Sequence, residues 1–237
     1  MNARLRAVDW AQGLLLALLL AAPWIGGAWL PRGVEALFVV SAFQLRLMDR
    51  RRDMRPGPSN WISHIRIMPV RLLPYAAMAL VAFMVGDRGT AGAAIAAAIL
   101  GELLVYPLVA LLLGKLPRYG ALAALILSLA GSSTASDETG RLLLAFAVGV
   151  TGCTAWLRGP DGGIRSMALA MLGAVIAGMA MIVHPPSVPG AWPALLICLI
   201  WALAHVSIRR RRPLPWRPWG SGARFTPRRA GLPSPPS

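Results

Sequence analysis

Residues 90–114 read TAGAAIAAAILGELLVYPLVALLLG, and Glu102 is the only charged residue in this apolar run. A bilayer has a hydrocarbon core about 30 Å thick, which a helix rising about 1.5 Å per residue crosses in about 20 residues. The run is therefore long enough to cross a membrane as one helix. It predicts a membrane protein.

The composition of the whole chain supports the same class. Of its 237 residues, 57% are hydrophobic and 14% are charged, and the mean hydropathy is +0.61. A soluble domain carries about 25% charged residues, so this chain is too apolar to be one. Two cysteines are too few for a disulfide framework, and a wholly disordered chain would be less apolar.

Seven further segments are apolar enough to be predicted as membrane spans. The eight predicted spans are residues 10–30, 34–48, 72–85, 90–114, 119–131, 142–157, 167–183 and 191–208. The spans at 34–48, 72–85 and 119–131 are short and need flanking residues to reach both interfaces. A signal peptide is the alternative for the N-terminus, but the apolar run continues to Leu30, which favours a span. We expect an all-α polytopic transmembrane bundle of about eight spans over residues 1–208.

Lysine and arginine are distributed unevenly around these spans. If the spans alternate in direction, 21 of the 24 Lys and Arg residues fall on one side and only Arg32, Arg88 and Arg141 on the other. Positively charged loops stay in the cytoplasm. Deleting any short span would put positive clusters on both sides, so the distribution supports eight spans. It predicts two cytoplasmic termini and a bacterial-type inner membrane.

Two longer segments are predicted on the cytoplasmic side. Residues 49–71 contain Trp61, Ile62, Ile65 and Met68 at helical spacing before Pro69, which predicts a short amphipathic helix on the membrane surface. An ordered loop packed on the bundle is the alternative. Residues 209–237 are rich in Arg, Pro and Trp without periodicity, and they predict a disordered basic tail.

Basic side chains in these two segments are expected to contact anionic lipids of the inner leaflet. They are Arg50, Arg51, Arg52, Arg66, Arg209, Arg210, Arg211 and Arg212. Proline spacing in the tail could also dock a protein partner. Nucleic acid is not an expected partner, because the tail is short and lies next to acidic lipid.

Glu102 is the one acid predicted deep in a span, twelve residues into the helix that starts at Thr90. A charge at that depth is costly, so the carboxyl is protonated, paired or in contact with water. Tyr106 lies one helical turn further on the same face. Pro107 frees the carbonyl of Leu103 and predicts an irregularity in the helix there. Glu102 and Tyr106 are therefore the best candidates for a substrate or proton site, and the alternative for Glu102 is a structural hydrogen bond.

His205 is a weaker third candidate for that site. It shares a helix face with Cys198 and Trp201, so it is expected to point inward if that face packs. His64 and His184 are interpreted as interfacial residues. None of the three histidines has a Cys, His or carboxylate at metal-ligand spacing, so no metal site is expected, and the cofactor is left open.

The other charged residues near the spans are interpreted as solvated or capping. Glu35 and Asp87 fall at outer interfaces, where water solvates them. Asp137 and Glu138 fall in the first turn of a helix, where acids complement the helix dipole. Arg46 lies within reach of the inner headgroups and needs no protein partner.

Three hypotheses for function remain. The first is a small proton-coupled permease or carrier that uses the midplane carboxyl. The second is a non-catalytic membrane subunit or assembly factor with membrane protein partners. The third, an intramembrane transferase using Glu102 and His205, is disfavoured because the Walker A, HExxH and GxSxG motifs and an acidic Mg²⁺ cluster are missing from the sequence. We therefore expect no enzyme, and no catalytic residue is assigned.

Overall fold

The structure, a computed structural model, describes residues 6–25, 29–51, 58–115, 117–159 and 164–209. Those ranges are helical throughout apart from short turns and contain no strand. The helices are α1 (Arg6–Leu20), α2 (Ala22–Ile25), α3 (Leu30–Arg51), α4 (Pro58–Met84), α5 (Arg88–Leu100), α6 (Tyr106–Lys115), α7 (Arg118–Thr134), α8 (Glu138–Leu157), α9 (Ile164–Val183) and α10 (Val188–Arg209). A π-helical turn at Gly101–Val105 joins α5 to α6, and a 3₁₀ turn at Pro185–Ser187 precedes α10.

Four helical segments among the described residues are long and apolar enough to cross a membrane. They are Arg88–Leu113, Glu138–Leu157, Ile164–Val183 and Pro185–Ser207. Shorter apolar helices lie at Ala7–Leu20, Met68–Met84 and Tyr119–Thr134. The expected all-helical architecture is confirmed for the described residues, and the four long apolar helices are compatible with a multi-pass membrane protein. The count of eight and the orientation stay predictions.

Helices α3 and α8 form the centre of the bundle. Side chains of α3 are almost all buried between Val34 and Leu45, including Phe38 and Phe43, and α8 is buried over most of its length. Gly149 of α8 lies against the backbone of α3: a Cβ atom there would overlap the carbonyl oxygen of Val39 and lie 2.7 Å from Ala42 Cβ. The two helices therefore approach each other closely at a position that requires glycine.

The first predicted span is not one continuous helix. Residues 10–30 were expected to form a single span, but α1 ends at Leu20 and α2 covers only Ala22–Ile25. Pro23 explains the break, because its ring lacks an N–H and clashes with the carbonyl of the fourth residue before it. Residues 26–28 lie outside the described part of the chain.

The prediction that Pro69 ends a separate surface helix is wrong. Helix α4 runs from Pro58 to Met84 with Pro69 and Pro74 inside it. A proline removes one backbone hydrogen bond, and packing of the following turns can hold the helix together. Here Met78 and Ala82 are fully buried in the core. The segment 49–71 is thus divided between the end of α3 and the first half of α4, and the predicted tail beyond Arg209 lies outside the described residues.

The predicted irregularity near Pro107 is a π-helical turn. The N–H of Tyr106 donates to the carbonyl of Gly101, five residues earlier, so one extra residue is accommodated in this turn. Gly101 begins it, and a Cβ atom at Gly101 would lie 3.3 Å from the ring of Phe146 in α8. The turn therefore sits directly against the central helix.

A candidate polar site between four helices

The side chains of Glu102 and Tyr106 both point into the bundle. Glu102 is 2% exposed and Tyr106 is 5% exposed. Glu102 lies within the π turn, and Tyr106 is the first residue of α6. Counting along the helical rod from Arg88 to Lys115, Glu102 lies about 20 Å from each end. The structure thus places the two main predicted site residues together and far from either end of their helix.

Two residues from other helices join them. A guanidinium nitrogen of Arg71 in α4 donates to Glu102 Oε2 at 3.4 Å. Another nitrogen of Arg71 lies 4.0 Å from Asp49 Oδ1 at the end of α3. The Tyr106 hydroxyl donates to Asp49 Oδ2. We call Asp49, Arg71, Glu102 and Tyr106 the inner polar cluster.

Two buried carboxyl groups of the inner polar cluster lie near the same guanidinium. Asp49 is 5% exposed, and its Oδ1 atom has no hydrogen-bond donor among the described residues. Asp49 and Glu102 thus share the guanidinium of Arg71. A buried polar oxygen without a donor is destabilising, so a donor group at Asp49 Oδ1 would stabilise the cluster.

Arg46 adds a second cation beside the cluster. Its Nε atom donates to Thr154 Oγ1 of α8 at 3.3 Å, and its guanidinium lies within hydrogen-bonding reach of the Tyr106 hydroxyl. The prediction that Arg46 needs no protein partner is therefore wrong. Arg158, just beyond α8, donates to the carbonyl of Leu113, and burial together with nearby Arg46 lowers the pKa of Arg158. These arginines tie α3, α6 and α8 together at one end of the bundle.

A line of neutral polar side chains lies on the other side of the cluster. Gln12 of α1 donates to Ser41 Oγ at 3.1 Å, and Ser41 lies within hydrogen-bonding reach of the Tyr75 hydroxyl. Tyr75 is 3% exposed and lies one helical turn after Arg71 in α4. Its ring packs on Phe38 with centroids 4.6 Å apart. Polar contacts therefore continue from Tyr75 through Ser41 to Gln12 of α1.

His205 is buried, as expected, but it lies elsewhere. Its Nδ1 atom is 2.7 Å from the carbonyl oxygen of Trp201 in its own helix, and its ring stands edge-on to Trp156 at 6.1 Å. The described contacts of His205 include no member of the inner polar cluster. It therefore has the surroundings of a packed core histidine.

A second group of charged residues lies at the opposite end of α3. Glu35 is fully buried, where solvation was expected, so that prediction is wrong. Its Oε2 atom pairs with Arg32 at 3.0 Å and lies 3.8 Å from Arg141 Nε. Glu138 accepts a hydrogen bond from the hydroxyl of Thr90 at 3.2 Å. We call Arg32, Glu35, Thr90, Glu138 and Arg141 the outer polar cluster.

The acids next to this outer cluster behave as helix caps. Asp87 accepts from the N–H of Thr90 at 3.0 Å and starts α5, and Asp137 accepts from the N–H of Gly140 at 2.7 Å and starts α8. The capping interpretation of Asp137 is confirmed. Glu35 is fully buried and pairs with two arginines, Arg32 and Arg141. The pair with Arg141 joins two helices, and hydropathy alone does not reveal such a contact.

The predicted lipid-contacting arginines are described only in part. Arg66 lies in α4 and is exposed. Arg50, Arg51 and Arg209 lie in the last turns of their helices, and their side chains are outside the described part of the structure. Arg52, Arg210, Arg211 and Arg212 fall outside the described residues altogether. Lipid contact stays a prediction for all of them.

Within the described residues, no group of three His, Cys, Asp or Glu side chains lies close enough to hold a metal ion. Comparison with protein-family models, with curated proteins and with solved structures finds no match to this chain. Function is therefore inferred from the polar clusters themselves.

Proposed function

We propose that the protein is a proton-coupled permease or carrier of a small solute, with Glu102 as the carboxyl that takes up and releases the proton. The observation that supports this proposal is the geometry around Arg71: a guanidinium 3.4 Å from Glu102 and 4.0 Å from Asp49, with both carboxylates buried. Ionisable groups inside a membrane bundle are costly, and they mark proton relays and substrate pathways.

The arrangement gives Arg71 two carboxylate partners. When Glu102 is charged, Arg71 is divided between two carboxylates. When Glu102 takes up a proton, Arg71 can move toward Asp49 and give its Oδ1 atom a donor. In this proposal the proton on Glu102 decides which carboxylate Arg71 pairs with, so protonation is coupled to the position of the Arg71 guanidinium.

The π turn places Glu102 where the regular hydrogen bonding of the helix is interrupted. One-turn π segments within α-helices occur frequently at functional sites, and carriers commonly bind substrate where a membrane helix is interrupted. Glu102 lies inside the turn and Tyr106 directly after it. Tyr106 is therefore assigned a positioning role, holding Asp49 through its hydroxyl.

The proposed topology is eight spans with both termini in the cytoplasm of a bacterial-type inner membrane. Eight helical rods among the described residues support it: α1 with α2, α3, α4, α5 through α6, α7, α8, α9 and α10. The distribution of Lys and Arg, 21 against 3, gives the orientation. In this topology the inner polar cluster lies between the midplane and the cytoplasmic side, and the basic segments face anionic lipids.

The test compares Glu102→Gln with Tyr106→Phe in vesicles containing the purified protein and a trapped pH-sensitive dye. A panel of organic cations, organic anions, sugars and amino acids is added outside, and solute-driven proton movement is recorded. An amide keeps the size of a protonated carboxyl but does not release a proton at the pH of the assay. Glu102→Gln should lower the rate by about a hundredfold or more, and Tyr106→Phe should lower it less.

Folding and protonation are checked separately in the same variants. Thermal unfolding should show that both proteins are folded, and pH-difference infrared spectra should lose one titrating carboxyl band in Glu102→Gln. Proton movement that no solute drives, or that Glu102→Gln leaves unchanged, would contradict the proposal.

The second candidate is a membrane subunit or assembly factor, whose partner would pack on the exposed face of α9. This helix packs mainly on α10. Its other face is apolar and exposed, including Leu169 at 68% and Ile182 at 76%. Purification in mild detergent with mass spectrometry tests this alternative. A stoichiometric partner protein would favour the subunit, and a monodisperse chain with a bound small solute would favour the carrier.

A further inference from the structure

A groove with a volume of about 470 Å³ runs between α4 and α5. Its lining is apolar except at one end, and it consists of Ala76, Ala79, Leu80, Phe83, Arg88, Ala91, Gly92 and Ile95. Alanine and glycine form much of this lining, whereas Leu80, Phe83 and Ile95 are large and exposed. A Cβ atom at Gly92 would meet nothing within 4 Å. The small residues therefore leave an open furrow between two helices.

Arg88 lies at the end of this furrow next to the α4–α5 turn. Its guanidinium carbon is 5.8 Å from the centroid of the Phe83 ring. Arg32 and Arg141, the other two arginines predicted on that side of the membrane, both interact with Glu35. Among the described residues, no carboxylate lies within ion-pair distance of Arg88. The groove thus combines apolar walls with one exposed cation at its outer end.

The groove is somewhat shorter than one leaflet of a bilayer. From Ala76 to Phe83, and from Arg88 to Ile95, each helix covers about 10 Å along its axis. Half of a hydrocarbon core is about 15 Å. The groove therefore starts at the level of the headgroups and ends inside the same leaflet. A guanidinium at the headgroup level is suited to phosphate, which it can bind with two parallel hydrogen bonds.

We propose that this groove binds one anionic phospholipid of the outer leaflet, with an acyl chain along Gly92 and the headgroup phosphate on Arg88. The chain fits the furrow because small residues leave room for it, and the charge of Arg88 selects the headgroup. The site is separate from the inner polar cluster and does not depend on proton coupling, while its assignment to the outer leaflet rests on the proposed topology.

The test measures lipid retention by native mass spectrometry on the full-length protein, titrated with phosphatidylglycerol or with phosphatidylcholine of the same acyl chains. The wild-type protein should retain phosphatidylglycerol more strongly. Arg88→Gln should weaken retention of phosphatidylglycerol about fivefold, which corresponds to about 1 kcal/mol for one arginine. Gly92→Leu fills the furrow and should weaken retention of both lipids. Arg165→Gln, at an exposed arginine of α9, is the matched control and should change nothing.

Three results would overturn the proposal. They are equal retention of the two lipids by the wild-type protein, undiminished retention of phosphatidylglycerol by folded Gly92→Leu, and a dimer that Gly92→Leu dissociates. The last result would assign the groove to a second copy of the chain. Gly92→Leu introduces its side chain into open space, so it decides the question even if Arg88→Gln fails to fold.

Discussion

Replacing Arg71 with methionine removes the one guanidinium that faces both carboxylates of the inner polar cluster. At an effective dielectric constant of about 20, charges 3.4 Å and 4.0 Å apart attract by about 5 and about 4 kcal/mol before desolvation is subtracted. Removing one partner of a buried ion pair costs about 3–5 kcal/mol, because the charge left behind has no compensation. Arg71→Met should therefore be strongly destabilised.

The assay is thermal unfolding of the detergent-purified protein, followed with a thiol-reactive dye. Cys153 is fully buried and Cys198 is half-buried, so dye labelling reports unfolding. A chain of this length loses about 2–4 °C per kcal/mol, so the melting temperature should fall by roughly 10 °C.

A second substitution separates lost charge compensation from lost packing. Arg71→Met combined with Glu102→Gln removes the guanidinium together with one of the two carboxylates that it pairs with, and should regain much of the stability. A melting temperature that Arg71→Met leaves unchanged, or a loss that Glu102→Gln does not relieve, would refute this reasoning.

Two further predictions concern packing and topology. Gly149→Ala should lower the free energy of unfolding by about 1–3 kcal/mol, because its methyl group meets the α3 backbone. Gly178→Ala has open space around it and should leave that free energy unchanged or raise it by up to about 1 kcal/mol. Equal melting temperatures of the two variants would contradict the α3–α8 contact. Single-cysteine labelling in intact cells checks the orientation, and the count of eight is wrong if Thr134 and Gly222 report the same side. The expected cytoplasmic positions are Gly57 and Gly222, and the expected external positions are Thr134 and Ser187.

Helix boundaries were predictable where an apolar run ends at a polar capping residue. Residues 142–157 and 167–183 were predicted as spans, and the helices cover Glu138–Leu157 and Ile164–Val183. Continuation of α4 through Pro69 was not predictable in this way. Local sequence disfavours it, and the packing of residues far along the chain decides it.

Only two members of the inner polar cluster were predictable from the sequence. Glu102 and Tyr106 stand out because they are polar residues one turn apart in an apolar helix. Arg71 is 31 positions from Glu102 and falls in a segment that the sequence predicts on the cytoplasmic side, because periodicity carries no information about contacts between helices. The burial of Glu35 is hidden for the same reason, since its ion pair with Arg141 joins two helices.

The π turn at Gly101–Val105 also sets how α6 is rotated relative to α5. It contains one residue more than an α-turn, and each residue of an α-helix turns the chain by about 100°. If the extra residue moved out of the turn, everything from Tyr106 to Lys115 would rotate by about that angle and slide by about 1.5 Å. Tyr106 would then face away from Asp49, while α5 and its cap at Asp87 stayed in place. The position of the extra residue in this helix therefore decides whether Tyr106 faces Asp49.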